Sequence, residues 1–228
     1  ERDCSIQRNH QKVIEESPCA VLTPELRKKM GDEAVRAAKA AGYENAGTIE
    51  FLLDDQQNFY FIEMNTRIQV EHPVTEMVSG IDLIKEQIYI AAGLPLGFRQ
   101  EDVHLEGHAI ECRINAEDPS KNFRPCPGTI QEVHLPGGFG VRIDTAVYNG
   151  YEIPPYYDSM IAKVIVHDKT RAGAIDKMRS TLGELIIDGV ITNLDFQYDI
   201  LNDKDFQDGD FTTAFIETHF AERQGCLP

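Results

Sequence analysis

Apolar residues recur at helical spacing between Leu26 and Ala41. Thr23 is a favoured N-cap residue, Pro24 suits the first helical position, and Gly42 suits the C-terminal end, so this segment predicts a helix. Capping residues and apolar spacing predict further helices at Asp82–Ala92, Thr170–Leu185, Thr192–Leu201 and Phe211–Phe220.

Strand-like runs lie between the predicted helices. Two of them, residues 47–53 and 59–65, are joined by the polar residues 54–58, which predicts an antiparallel hairpin. The other predicted segments are a strand end and loop at 1–12, a loop at 66–73, and strands at 108–115 and 160–166. Because helices and strands mix without strict alternation, we expect an α+β fold.

A stretch with proline, glycine and several charges separates two units of the chain. It runs from Leu94 to Glu106, and proline and glycine punctuate short strands in the unit that follows. We therefore divide the chain into residues 1–104, residues 105–220 and a loose tail, 221–228. The chain opens without Met and in the course of a strand, so we expect a piece of a longer polypeptide.

Composition narrows the function classes. The 228 residues include 22 basic and 38 acidic side chains, and a net charge of −16 argues against binding nucleic acid or an anionic membrane surface. No apolar run has the roughly 20 residues of a membrane-spanning helix. Five cysteines without a C-x-x-C pair indicate reduced thiols rather than a disulfide framework or a structural zinc site.

The predicted hairpin carries two carboxylates within apolar strands. With its turn centred between Gln56 and Gln57, Glu50 lies opposite Glu63, and Asn65 shares the face of Glu63. Two carboxylates and an amide oxygen are hard ligands that suit Mg²⁺ or Mn²⁺. The alternative is an ordinary solvated face of an amphipathic hairpin, and spacing alone leaves both open.

The loop after the hairpin, Asn65-Thr66-Arg67-Ile68-Gln69-Val70-Glu71-His72-Pro73, is polar at every second position from Arg67 to Glu71. If it is extended, Arg67, Gln69 and Glu71 face one way. Arg binds small oxyanions through two parallel hydrogen bonds, and Glu71 beside it could act as a general base. A surface Arg–Glu pair is the alternative.

The strand at 108–115 has a polar face as well. Glu111, Arg113 and Asn115 alternate there with Ile110, Cys112 and Ile114. Arg113 could stabilise a developing oxyanion or could form a structural ion pair between neighbouring strands.

Six segments, taken together and in order, resemble the signature motifs of one family. They are Phe61–Glu76, Glu1–Ser5, Gln11-Lys12, Glu111–Asp118, Pro136–Arg142 and Pro154–Met160. The chain is similar to the biotin carboxylases, which are ATP-grasp enzymes, from residue 1 to about residue 220. The resemblance implies the C-terminal part of an ATP-grasp domain followed by a biotin carboxylase C-terminal domain.

The resemblance also implies a role for each candidate residue. At the ATP site these are Gln7 and His10 near the ribose, Leu52 near the adenine, and the Mg²⁺ or Mn²⁺ ligands Glu50, Glu63 and Asn65. Around bicarbonate and biotin they are Lys12, Arg67, Gln69, Val70 through its backbone, Glu71 as the base, and Arg113 at the enolate oxygen of biotin.

The implied reaction is the ATP-dependent carboxylation of biotin by bicarbonate through carboxyphosphate, the first half-reaction of acetyl-CoA carboxylase in fatty acid biosynthesis. The implied partners are a biotin carboxyl carrier protein, carboxyltransferase subunits, and a second copy of the chain contacting through Phe139 and Arg142. The implied compartment is the bacterial cytoplasm or the plastid stroma.

The chain departs from the family in two respects. It lacks the glycine-rich phosphate loop expected before residue 1, so we predict that this fragment alone is inactive. It also lacks an Ala-Met-Lys-Met motif, so biotin must arrive on a separate carrier protein or on a distant domain. Alternatives are another carboxyphosphate-forming ATP-grasp ligase, such as a carbamoyl-phosphate synthetase, or a stable fragment without catalysis. The final carboxyl acceptor is left open.

Overall fold

The computed structural model describes residues 1–220. The helices in this range are α1 Pro24–Ala40, α2 His72–Ser79, α3 Leu83–Ala91, α4 Arg171–Glu184, α5 Leu194–Asn202, α6 Lys204–Asp208 and α7 Phe215–His219. The strands are β1 Asp3–Arg8, β2 Gln11–Ser17, β3 Thr48–Leu53, β4 Phe59–Asn65, β5 His108–Asn115, β6 Glu117–Asp118, β7 Arg124–Pro125, β8 Gly128–Thr129, β9 Glu132–His134, β10 Val141–Thr145, β11 Glu152–Ile153, β12 Met160–Asp168 and β13 Ile186–Asp188.

A five-stranded antiparallel sheet organises the chain, in the order β1-β2-β5-β12-β10. Its first two strands come from residues 3–17 and its last three from residues 108–168. Pairing of Ile14 with Cys112 joins the two groups of strands in one sheet. The sheet therefore brings together polar residues that lie about a hundred positions apart.

The two faces of this sheet are buried by different elements. On one face, Ile110, Cys112 and Ile114 are fully buried in the main hydrophobic core, which includes residues of α4 and α5. On the other face, α2 packs Val74 and Val78 against Ala109 and Ile165. The second face leaves room for charged side chains beside α2, and the candidate site lies there.

The β3–β4 hairpin has the register that the sequence predicts. Glu50 pairs with Glu63 and Thr48 pairs with Asn65. Helix α1 precedes it, with the Thr23 side chain accepting a hydrogen bond from the Leu26 N–H at 3.2 Å. The α+β class is likewise confirmed. No helix within residues 1–220 combines the length and apolar character that crossing a membrane requires.

Three predicted segments are wrong in detail. Residues 1–12 form two paired strands joined at Asn9 and His10, which take up the left-handed backbone conformation of a tight turn. The predicted loop at 66–73 ends early, because α2 begins at His72. The predicted last helix at 211–220 is only Phe215–His219, and α6 before it was missed. The predicted tail at 221–228 lies outside the described residues.

Candidate active site

Glu71 lies at the centre of the polar cluster. Its side chain is 2% exposed, and Oε1 accepts a hydrogen bond from Lys12 Nζ at 2.5 Å. Its Oε2 accepts one from Arg113 Nη2 at 3.0 Å. Lys12 stands on β2 and Arg113 on the adjacent β5, so the sheet supplies the cations and the loop before α2 supplies the anion.

Two further residues hold the loop that carries Glu71. Gln69 is buried, donating to Glu50 Oε1 at 2.6 Å and accepting from Arg2 Nη2 at 2.6 Å. Lys163 Nζ donates to the main-chain oxygen of Val70 at 2.9 Å. The chain is fixed at Gln69 and at Val70, directly before Glu71, which limits the positions available to the Glu71 carboxylate.

The protonation state of Glu71 follows from its surroundings. Burial acts to raise the pKa of Glu71, but the hydrogen bond and charge of Lys12 and the charge of Arg2 lower it below its ordinary value. Burial acts to lower the pKa of Lys12, and its carboxylate partners raise it overall. At neutral pH the site therefore holds an ionised carboxylate between cations.

Glu50, Glu63 and Asn65 converge as the sequence predicts. The Asn65 amide nitrogen donates to Glu63 Oε1 at 2.8 Å and to Glu50 Oε1 at 3.2 Å, so a positive dipole already stands between the two carboxylates. Lys12 Nζ also reaches Glu50 Oε1, at 2.8 Å. The two carboxylates and the Asn65 amide oxygen are the hard oxygen ligands that Mg²⁺ or Mn²⁺ prefers. Their assignment as metal ligands stays a prediction.

Arg67 departs from the expected arrangement. The segment after β4 bends at residue 67 and turns at residues 70–71, so it is not the extended run on which a common face for Arg67, Gln69 and Glu71 depended. Arg67 is exposed and donates to Asn65 Oδ1 at 3.2 Å and to the Ile68 oxygen at 3.1 Å. It lies beside the carboxylate hairpin, whereas Gln69 and Glu71 point into the cluster.

The residues expected at the nucleotide lie around the same sheet and hairpin. Gln7 pairs with Lys12 across β1 and β2, and His10 is exposed in the turn between those strands. Leu52 is half exposed on β3. Phe139 and Arg142, expected at a subunit contact, differ in exposure. Phe139 is 97% exposed, and Arg142 donates to Glu76 Oε2 at 2.6 Å and to both oxygens of Asp144.

Sequence reasoning missed three charged residues of the cluster, Arg2, Glu15 and Lys163. Arg2 donates to Thr48 and Thr75 at 3.0 Å as well as to Gln69. Glu15 Oε1 accepts from Arg113 Nε at 2.6 Å. Glu50 and Glu63 were identified in the sequence as charged residues within apolar strands. The same criterion would have identified Glu15 in β2 and Lys163 in β12.

Two family models match the chain in sequence. The biotin carboxylase C-terminal domain matches residues 111–218, and the ATP-binding domain of the carbamoyl-phosphate synthase L chain matches residues 1–99. Biotin carboxylase 1 of Bacillus subtilis is 60% identical over 220 residues, which cover 96% of this chain and 49% of that protein. The chain matches the C-terminal half of the biotin carboxylases.

Other biotin carboxylase relatives extend the comparison. The 2-oxoglutarate carboxylase small subunit of Hydrogenobacter thermophilus is 56% identical over 219 residues, covering 96% of this chain and 46% of that protein. A solved structure of the biotin carboxylase domain dimer from that enzyme, in complex with MgADP, ADP and bicarbonate, matches with a TM-score of 0.95 at 53% identity. The match covers 100% of this chain and 50% of that one.

The chain spans about half the length of the biotin carboxylases it matches, and it corresponds to their C-terminal part. The predicted succession of a partial ATP-grasp domain and a biotin carboxylase C-terminal domain is confirmed. The C-terminal match does not favour the alternative of another ATP-grasp ligase. The boundary between residues 104 and 105 stays a prediction.

Proposed function

We propose that this chain provides the bicarbonate- and biotin-binding part of the active site of an ATP-dependent biotin carboxylase. The observation that carries the proposal is the buried Glu71 carboxylate held between Lys12 and Arg113, beside the hairpin of Glu50 and Glu63. The relative whose structure contains MgADP and bicarbonate supports the proposal, because 100% of this chain is covered by the match to that structure.

The first step would be the activation of bicarbonate. Glu71, ionised at neutral pH, accepts the bicarbonate proton, and a bicarbonate oxygen forms a bond to the γ-phosphorus of ATP as the bond to ADP breaks. Lys12 contacts both Glu71 and Glu50, so its ammonium offsets negative charge between the base and the hairpin. A Mg²⁺ or Mn²⁺ ion held by Glu50, Glu63 and Asn65 would neutralise the ATP phosphates.

Three residues of the loop would hold bicarbonate during this step. Arg67 offers a planar guanidinium suited to an oxyanion. Gln69 is already oriented by Arg2 and Glu50, and Val70 is fixed by Lys163. Because two of the three are positioned before any ligand binds, little ordering of the loop accompanies binding.

Biotin would react in the second step. Carboxyphosphate gives CO₂ and phosphate, phosphate takes the N1 proton of biotin, and the enolate attacks CO₂. Arg113 would stabilise the enolate oxygen, since its guanidinium is held in place by Glu15 and Glu71. Exclusion of water matters because carboxyphosphate hydrolyses readily.

The remaining assignments extend the same proposal. Gln7, His10 and Leu52 would contact ATP, and Phe139 and Arg142 would contact a second copy. The partners would be a biotin carboxyl carrier protein and carboxyltransferase subunits, in the bacterial cytoplasm or plastid stroma. The inactivity of residues 1–228 alone stays a prediction.

Biotin-dependent release of ADP from ATP, with bicarbonate and Mg²⁺, tests the proposal. The full-length gene product that contains this chain should show the activity, and Arg67→Ala and Glu71→Ala should abolish most of it. The chain of residues 1–228 serves as the comparison and should show none. A full-length protein that binds ATP but shows no dependence on biotin contradicts the proposal.

A further inference from the structure

Two buried carboxyl groups lie side by side beneath Arg113. Glu15 on β2 pairs directly with Glu111 on β5, and the side chains of both residues are fully buried. Directly opposite residues on antiparallel strands have Cβ atoms roughly 4.5–5.5 Å apart. On its other side, Glu111 pairs with Ile165, part of the apolar cluster under α2. Glu111 therefore has apolar surroundings on one side and another carboxyl group on the other.

The two groups have few hydrogen-bond partners. Glu15 Oε1 accepts from Arg113, but Glu15 Oε2 and both carboxyl oxygens of Glu111 have no hydrogen-bond partner among residues 1–220. Neighbouring cations are engaged elsewhere, Lys12 with Glu50 and Glu71, and Lys163 with Val70 and Asp144.

A buried pair with one cationic partner does not keep two negative charges. Ionised carboxylates lose hydration on burial, and two of them side by side repel each other. A proton on Glu111 removes both costs, because the group becomes neutral and gains an O–H that can donate to the unpartnered Oε2 of Glu15.

We propose that Glu15 and Glu111 hold one proton between them and that this buried pair positions Arg113 against Glu71. The inference deepens the proposed function and rests on it for the role of Arg113 at biotin. With a single negative charge, the pair anchors the Arg113 guanidinium through Glu15, which contacts both Nε and Nη2, while Nη2 also donates to Glu71. A second charge would draw Arg113 inward, and loss of the remaining charge would release it.

Electrostatic directions agree with this geometry. Burial raises the pKa of Glu15 to about 7, against the charge of Arg113. Burial, and then the charge of Glu15, raise the pKa of Glu111 well above its ordinary value. The charged and titratable groups that act on the pair are Cys4 on β1, Lys12 on β2, Glu71 in the loop, Cys112 and Arg113 on β5, and Lys163 on β12. Helix α2, which packs over this face, carries His72 and Glu76, and these bond to the Gln69 main chain and to Arg142.

Carboxyl-carbon NMR of the 1–228 chain with ¹³C-labelled glutamate tests the shared proton without any assay of activity. One carboxyl should stay protonated above neutral pH, and its signal should be absent from Glu111→Gln. In Glu15→Gln the Glu111 carboxyl should titrate at lower pH, because the neighbouring charge is gone. Glu101→Gln is the matched control at an exposed carboxyl and should change neither signal. Ordinary titration of both carboxyls, or independence of Glu111 from Glu15, overturns the inference.

The pH profile of the full-length gene product tests the positioning role. In the wild type, kcat/KM for biotin should fall as the pH drops through about 7, where Glu15 gains its proton and Arg113 loses its anchor. Glu15→Gln should lower kcat at least tenfold and abolish this decrease of kcat/KM at low pH. Glu15→Asp should restore part of the kcat and part of the pH dependence. If folded Glu15→Gln keeps the wild-type decrease of kcat/KM for biotin at low pH, the positioning role is contradicted. Absence of any biotin-dependent turnover in the wild type contradicts the proposed function instead, while the NMR titration still decides the shared proton.

Discussion

Lys163 reaches from β12 to donate a hydrogen bond from Nζ to the main-chain oxygen of Val70 at 2.9 Å, across 93 positions of sequence. Lys163 is also the residue paired with Arg113 in the sheet. One lysine therefore connects the strand beside Arg113 to the turn that carries Glu71, and the two halves of the cluster depend on it.

We expect Lys163→Met to loosen this turn. The Val70 oxygen loses its partner, which lowers the free energy of unfolding by about 1–3 kcal/mol, and KM for bicarbonate in the full-length product should rise more than kcat falls. Chemical denaturation and steady-state kinetics measure the two effects. Lys169→Met, at an exposed lysine just past the same strand, is the control and should change neither quantity. If Lys163→Met has the same KM for bicarbonate as the wild type, the turn keeps its position without Lys163.

The carboxylate hairpin should bind a divalent cation. Glu63→Gln replaces one of the two oxygen anions that face the Asn65 amide. We expect the affinity of the full-length product for Mn²⁺, measured with ADP by electron paramagnetic resonance, to fall by at least roughly tenfold, the scale seen when groups that support metal sites are changed. Asp55→Asn, in the exposed turn of the same hairpin, should bind as the wild type does. Equal losses of Mn²⁺ affinity in the two variants would indicate attraction by the overall negative charge of the hairpin rather than binding at a specific site.

The sequence predicts this hairpin well because its information is local. Alternation along two short strands and one polar turn determine the register of Glu50 with Glu63, and the structure has that register. Helix α1 is predicted for the same reason, since Thr23, Pro24 and Gly42 are all near its ends.

The sequence does not predict the burial of Glu71. That burial depends on the pairing of β2 with β5, which places Lys12 and Arg113 on neighbouring strands although they are far apart in sequence. The extended form expected for the loop from Arg67 fails because α2 begins at His72 and packs Val74 onto the sheet, which turns the chain at Glu71. Residue alternation carries no information on such long-range packing.

Two glycines should respond oppositely to alanine. Gly189 has φ +99, and an added Cβ would lie 2.3 Å from the main-chain oxygen of Thr129, so Gly189→Ala should cost on the order of 1–3 kcal/mol or more. Gly31 lies within α1, and an added Cβ would meet no atom within 4 Å beyond its chain neighbours and the backbone of its own helix, so Gly31→Ala should stabilise the chain by about 0.5–1 kcal/mol. Thermal unfolding of both variants tests the pair, and destabilisation by Gly31→Ala would contradict the open surroundings.

Glu71→Gln should destabilise the chain in a manner that depends on pH. The substitution leaves Lys12 and Arg113 without the anion between them, and losing one member of a buried ion pair costs about 3–5 kcal/mol. Because the pKa of Glu71 is lowered on folding, its stabilisation is present above the unfolded value of 4.5 and is lost as the pH falls through the folded pKa. Urea unfolding of wild type and variant should therefore give a large difference in the free energy of unfolding near neutral pH, and this difference should shrink below pH 4.5.

Glu44→Gln, at an exposed carboxylate, is the control for Glu71→Gln. A difference of constant size across this range would mean that packing rather than charge accounts for the loss.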